Sequence, residues 1–215
     1  DRSVVFGCPW VADFRDPWAR APWREERYSF VKRTVAFLER LVVRFANRIV
    51  FVTPANKAEF SNVYGSRVEK FSVVPNGCDP AEIDSLRSTG PALGPDEVEN
   101  FILLHAGSLY EGRTPAPLLR AISQAITDGL INAAEFRLRF LGVNDGQGGD
   151  IRRLCHALGL EDVVQFMPRV SRAESLRAMT TASALLLLQP GHPVSVPAKL
   201  YEYLAAGRPI LAVTQ

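Results

Sequence analysis

Lys199 and Glu202 are the pair of residues in this 215-residue chain whose types and spacing most suggest chemistry. They stand three apart in "VSVPAKLYEYLAAGRPILAV", Val194 to Val213, which reads as a short helix feeding a strand. Ser195 or Val196 caps the helix, Pro197 fits its first turn, and Gly207 followed by Pro209 stops it. Leu200, Tyr203 and Leu204 make the expected buried stripe, which leaves Lys199 and Glu202 on another face. Two readings are open. One is an exposed helical ion pair that adds little stability. The other sets the Glu202 carboxylate under a ribose, accepting from two hydroxyls, with Lys199 and the helix N-terminus toward phosphate.

A second candidate is "HAGSLYEGRTP", His105 to Pro115, which follows a strand and leads into a helix. Gly107 and Gly112 let backbone approach a ligand beside Ser108, and the planar fork of Arg113 suits a phosphate. The stretch lacks the spacing of a Walker loop or a dinucleotide fingerprint, so a tight turn with a solvated arginine is the plainer alternative. A third is "ADFRDPW", with Asp13, Arg15 and Asp16 at a strand end. Its acidic spacing is not a DxD metal motif and no His or Cys cluster adjoins it, so no metal is expected. Arg15 and Asp16 either shape the loop or serve an acceptor or catalytic role. Of the three histidines, His105 reads as a hydrogen-bonded core residue and His156 as surface, while His192 in a proline-rich loop is within reach of a site.

These candidates need elements to hold them. At 47% hydrophobic and a formal charge of +2, the composition is that of a globular chain with an ample core and no strong field for nucleic acid. Cys8, Cys78 and Cys155 are odd in number and far apart, which argues against a disulfide framework or a thiolate zinc site and for a reducing cytosol. No apolar run is long enough to span a bilayer. The chain begins without Met on a strand-like run and stops on another, as a fragment of a longer protein would.

"VVFGCPWVADF", "RIVFVT" and "KFSVVPNG" read as strands, separated by a helix from about Tyr28 to Asn47 and another from Ala55 to Tyr64. Val31, Val35, Leu38, Val42 and Phe45 mark the first helix's apolar stripe, and Gly65 suits a left-handed cap on the second. Arg27, Lys32, Arg33, Arg40, Arg44 and Arg48 make a basic face, either simply solvated or in contact with anionic headgroups. From Asp79 to Asn100 periodicity gives way to prolines and glycines, an interdomain linker with a short helix around Ile83. Five apolar strands then alternate with helices, which predicts a parallel sheet covered on both faces. In such sheets ligands bind beyond the strands' carboxyl ends, where the three candidate stretches lie.

Four stretches in order, "PWVADFRDPW", "VVPNGCD", "AGSLYEGRTPAPLLRAI" and "VPAKLYEYLAAGRPIL", resemble the retaining glycosyltransferases of the GT-B fold, family 4 type, over nearly the whole chain. The resemblance implies an α/β fold of two Rossmann-like parallel-sheet domains. Residues 1–78 would be the latter part of an acceptor-side domain, 79–100 the linker, and 101–215 a donor domain lacking its C-terminal elements. It further implies that Glu202 holds the donor ribose, that Gly107 meets phosphate, and that Arg113 lies near the basic residues neutralising the diphosphate. Two positions depart from the family pattern. Val194 stands where the first glutamate of the motif falls, and Arg15 stands where many members carry a histidine at the reaction centre. The expected activity is cofactor-free and metal-independent sugar transfer from a nucleotide-diphosphate sugar to a saccharide or lipid-linked acceptor. Arg15 and Asp16 are the catalytic candidates, and Gly107, Ser108, Arg113, Lys199 and Glu202 the donor-binding ones. A cytoplasmic enzyme is expected, with no nucleic-acid partner and with peripheral membrane contact through the basic helix 28–47. The rival expectations are a sugar-nucleotide epimerase of the same shape and an inert nucleotide-binding relative or assembly partner.

Overall fold

A computed structural model describes residues 7–16, 18–19, 29–87, 100–109, 114–143, 145–189 and 196–214. The chain divides into two compact units, Asp1–Asn76 with Gly191–Pro197, and Gly77–Pro190 with Ala198–Gln215.

The first unit is built on a parallel sheet of β1 (Val11–Phe14), β2 (Arg48–Phe51) and β3 (Phe71–Val73), in that order. Phenylalanine fills its core. The Phe51 and Phe60 rings lie 4.8 Å apart, Phe14 and Phe60 5.1 Å, and Phe51 and Phe71 5.2 Å, distances at which tilted rings attract beyond simple burial. Helix α1 (Ser29–Phe45) lays Val43 on this cluster. Its apolar stripe differs from the one expected: Leu38 and Phe45 are exposed, at 42% and 46%, and the buried centre is Glu39 and Val43. Helix α2 (Pro54–Tyr64) starts with Thr53 as cap, its hydroxyl oxygen accepting from the Asn56 N–H at 3.0 Å, and with Pro54 in the first turn. The left-handed cap expected at Gly65 does not form. Its φ of −48° is right-handed, and the chain tightens into a 3-10 helix, Gly65–Lys70, before β3.

The second unit holds β4 (Phe101–Ala106), β5 (Phe136–Leu141), β6 (Val164–Met167), β7 (Ala184–Gln189) and β8 (Ile210–Thr214), all parallel in the order β6-β5-β4-β7-β8. Strand alternation sorts the side chains to two faces. Leu103, Leu138, Phe140, Leu186 and Leu188 pack with Leu119 and Ile122 of α4 (Ala116–Thr127) and Cys155 of α5 (Asp145–Ala157). On the other face Ile102, Leu104, Ala106, Leu185 and Leu187 pack with Ile83 of α3 (Pro80–Arg87), Leu176 and Met179 of α6 (Arg172–Thr181), and Tyr203 and Ala206 of α7 (Ala198–Ala206). The sheet is doubly wound, as the continuous apolar strands required. The first part of the expected linker is thus a helix whose Ile83, 1% exposed, belongs to this core, while residues 88–99 lie outside the described set. Among the described residues no helix is long and apolar enough to cross a membrane.

Candidate functional site

The order of the five strands reverses between β4 and β7, and the carboxyl ends beside that reversal are where a doubly wound sheet opens a crevice. Immediately after β4, Gly107 takes φ +123° while its N–H donates to the Leu141 carbonyl at 2.7 Å. Only glycine adopts such a φ without strain. The turn is also needed for space. A β-carbon on Gly107 would stand 2.2 Å from Lys199 Nζ, so the ammonium of α7 lies against the glycine backbone. Next to it, after β5, Gly142 repeats the arrangement with φ +88° and an N–H to the Met167 carbonyl at 3.1 Å. The two turns form one wall of a cavity of about 430 Å³ lined also by Ser108, Arg169, Arg172, Lys199 and Glu202.

Helix α7 carries two of those side chains, and Tyr203 fixes it. The ring is fully buried, and its hydroxyl accepts from the Ala106 N–H at 3.0 Å while donating to the Leu186 carbonyl at 3.3 Å. One phenol therefore ties α7 to both strands of the reversal. Burial pushes its pKa well above the ordinary value, so it remains a neutral donor. Gly207, φ +69°, ends the helix as the sequence predicted. The stripe was only partly read: Tyr203 is buried and Leu200 packs on the core, but Leu204 is 62% exposed and Ala206 takes the second buried place. A step of three or four residues is met by more than one helix face, and the sheet fixes which.

Opposite α7 stands the start of α6. Ser171 and Glu174 form a capping box there, the serine oxygen accepting from the Glu174 N–H at 3.3 Å and Glu174 Oε2 accepting from the Ser171 N–H at 2.9 Å. The box sets Arg172 at the first helical position. Its guanidinium donates to both carboxylate oxygens of Glu82 on α3, at 3.0 and 3.1 Å, and through Nη1 to Glu202 Oε1 at 2.8 Å. The hydrogen bonds to Glu82, then those to Glu202, hold the arginine charge more firmly than usual. The Glu202 side chain is 18% exposed, so this carboxylate is largely shielded and bound to a cation at the cavity edge.

Of the predicted site residues, Gly107, Ser108, Lys199 and Glu202 come together in this cavity. Arg113, Val194 and His192 lie outside the described residues. Arg15 and Asp16 belong to the first unit, at the end of β1, where Arg15 Nε sits 3.5 Å from Asp13 Oδ2 with both side chains exposed. His105 is the core histidine expected, buried, with Nδ1 3.0 Å from the Leu186 carbonyl. Sequence reasoning missed Arg169, Arg172 and Glu82. The first two follow β6 at its carboxyl end, and Ser171-x-x-Glu174 was legible as a capping box, so a signal existed for both.

No model of a known protein family matches the chain. It is 30% identical over 182 residues to a D-inositol 3-phosphate glycosyltransferase of Kineococcus radiotolerans, covering 81% of this chain and 41% of that protein. A protein of the same name from Gordonia bronchialis is 27% identical, with 81% and 39% covered. The chain thus spans about two fifths of the length of these relatives. Among solved structures it is similar to Anabaena HepE in complex with UDP, with TM-score 0.67, 20% identity, and 98% of this chain and 54% of that one covered. It is similar also to a UDP-forming α,α-trehalose-phosphate synthase of Burkholderia xenovorans, with TM-score 0.71, 11% identity, and 99% and 55% covered.

The fold is that of the GT-B glycosyltransferases. Among the described residues of the five-stranded unit, the cations Arg169, Arg172 and Lys199 line the cavity together with Glu202, and Arg172 also holds Glu82 of α3. These five groups carry an excess of one positive charge, suited to an anion.

Proposed function

We propose that this chain is part of a retaining glycosyltransferase that moves a sugar from a nucleotide-diphosphate sugar to a saccharide or lipid-linked acceptor. The observation that carries the reading is the cavity in which Gly107, Ser108, Lys199 and Glu202 meet Arg169 and Arg172. Glu202 receives the ribose, with Arg172 on one carboxylate oxygen and the sugar hydroxyls on the other. Lys199, set against the backbone of Gly107, meets the diphosphate, joined by Arg113. As the glycosidic bond breaks, negative charge grows on the departing nucleoside diphosphate, and fixed cations lower that barrier because they are oriented before the reaction begins. Side-chain cations rather than a metal ion fill this role in the proposal.

Residues 101–215 are read as the donor domain, 79–100 as the linker and 1–78 as part of the acceptor domain, with Arg15 and Asp16 as its catalytic candidates. The acceptor's lipid character draws support from α1. Phe37 and Phe45, 58% and 46% exposed, share its outward side with exposed Arg33, Arg40 and Arg44, the composition of a helix lying at an anionic membrane surface. Sedimentation with vesicles containing anionic lipid tests this part, and loss of binding in an Arg40→Glu, Arg44→Glu variant is the expected result.

The donor reading is tested by titrating uridine, guanosine and adenosine diphosphates into the native protein and a Glu202→Ala variant by calorimetry. One nucleotide is expected to bind at micromolar Kd and to lose roughly tenfold to a hundredfold in the variant. Equal binding by both proteins would remove Glu202 from the site, and no binding by either would favour an inert relative.

A further inference from the structure

Helix α6 borders two cavities. Arg172, Ser175, Leu176 and Met179 line the one described above. Glu174, Arg177, Ala178 and Thr181 line a second, of about 350 Å³. At about 100° of helix rotation per residue, the centres of these two sets lie about 160° apart around the axis, so they are nearly opposite faces of one rod. Among the described residues the two linings share only Leu141 and Val170.

The floor of the second cavity is apolar, built from buried Ile102 and Leu104 of β4, Leu141 of β5 and Ala182. One position breaks that pattern. Strand β5 is interior, paired with β4 and β6, yet "FRLRFL" sets Arg139 level with Leu104, and both line this cavity. A face built only for packing has no use for a cation, because withdrawing its head from water costs free energy that apolar contact does not return. The Arg139 Nε–H donates to Gln165 Oε1 on β6 at 2.7 Å, which holds the guanidinium in place, and Arg177 brings a second guanidinium from α6. Glu174 is already engaged, its Oε2 accepting from the Ser171 N–H and hydroxyl. The described lining therefore carries one more positive charge than negative above an apolar floor. That complements a molecule with a short apolar body and one anionic end, and the volume falls at the small end of ligand sites, which run from about 300 to 1,000 Å³. The single excess charge matches a carboxylate better than a phosphate monoester, which carries nearly two.

We propose that this second cavity binds a small amphipathic carboxylate, its chain on the floor of Ile102, Leu104 and Leu141 and its anionic end at Arg139 and Arg177, at a site separate from the nucleotide cavity. The test titrates octanoate by calorimetry into the native protein and into Arg177→Gln and Ala178→Phe variants, with Tm confirming that each variant folds. The first variant removes a charge and the second fills the space. Acetate, which lacks the chain, and octylammonium, which reverses the charge, are titrated beside it. The expected result is saturable one-to-one binding of octanoate, weaker by roughly tenfold or more in each variant and for each control probe, and unmoved by saturating uridine diphosphate. Octanoate bound no better than acetate or octylammonium, or bound equally by native protein and variants, overturns the proposal. Displacement of octanoate by uridine diphosphate would join the two cavities into one site and overturn it as well.

Discussion

Two glutamates on two helices, Glu39 in the first unit and Glu202 in the second, are both withdrawn from water yet differently placed. Glu39 is fully buried, with Oε2 accepting from the Ala19 N–H at 2.7 Å and Oε1 from the Tyr64 hydroxyl at 2.9 Å. These donors come from the loop after β1 and from the end of α2, so one carboxylate ties three segments together. Glu202 instead meets a cation already shared with Glu82 and stands at the wall of a cavity. The difference teaches how to separate architecture from function in buried charge. A fully buried carboxylate that ties segments of its own scaffold together is a fastening, whereas one bound to a cation beside open space has its charge arranged for something that arrives later.

That contrast can be broken most forcefully at Glu39. Glu39→Ala is expected to destabilise by about 3 kcal/mol, since it opens a hole and strands both donors, and to leave nucleotide Kd unchanged. A urea midpoint within error of wild type would show that the carboxylate fastens nothing. Tyr203→Phe should cost about 2 kcal/mol by leaving the Ala106 N–H unmet. It also carries a pH signature. The phenol's pKa is raised in the folded state, so its contribution is complete below the ordinary 10.0 and is lost as pH climbs above it. Wild type should therefore lose stability faster than the Phe variant in an alkaline melting series, and parallel curves would contradict the assignment. Gly107→Ala is expected to cost about 1–2 kcal/mol through its positive φ and to weaken nucleoside diphosphate binding several-fold by displacing Lys199. The smallest change sharpens the Glu202 side. Glu82→Gln keeps the shape of the Arg172 contact but removes one negative charge, so stability should hold within about 0.5 kcal/mol while diphosphate affinity rises by roughly twofold. Weaker binding instead would mean that Glu82 positions Arg172 more than it opposes the ligand.

The sheet of the second unit was legible because "FILLHA" and "ALLLLQ" are apolar on both faces, a pattern that only a strand covered on two sides can satisfy. Gly107 and Ser108 were marked by the turn after β4 and Lys199 and Glu202 by their helical spacing, the family resemblance supplied donor roles for Gly107 and Glu202, and all four line one cavity. The capping box marked the place of Arg172 but not its role, because its partners are 90 residues back, at Glu82, and 30 residues on, at Glu202. The α1 stripe was misjudged at Leu38 and Phe45 because that helix is apolar on two sides, and the buried one is chosen by contacts with Phe14, Phe51 and Phe60 rather than by spacing. Gly65 misled for a related reason: glycine permits a left-handed cap without requiring one.

The ammonium of Lys199 occupies the volume that a β-carbon on Gly107 would need, so the two positions are one decision made twice. Any side chain at 107 evicts the lysine head, and once the lysine is gone the glycine's openness serves only its φ. The costs of Gly107→Ala and Lys199→Ala for diphosphate binding should accordingly fall well short of additive in the double variant. Change at this corner of the site is then history-dependent. Losing the lysine first makes the second substitution nearly silent for binding, and regaining the cation afterwards demands that both positions revert.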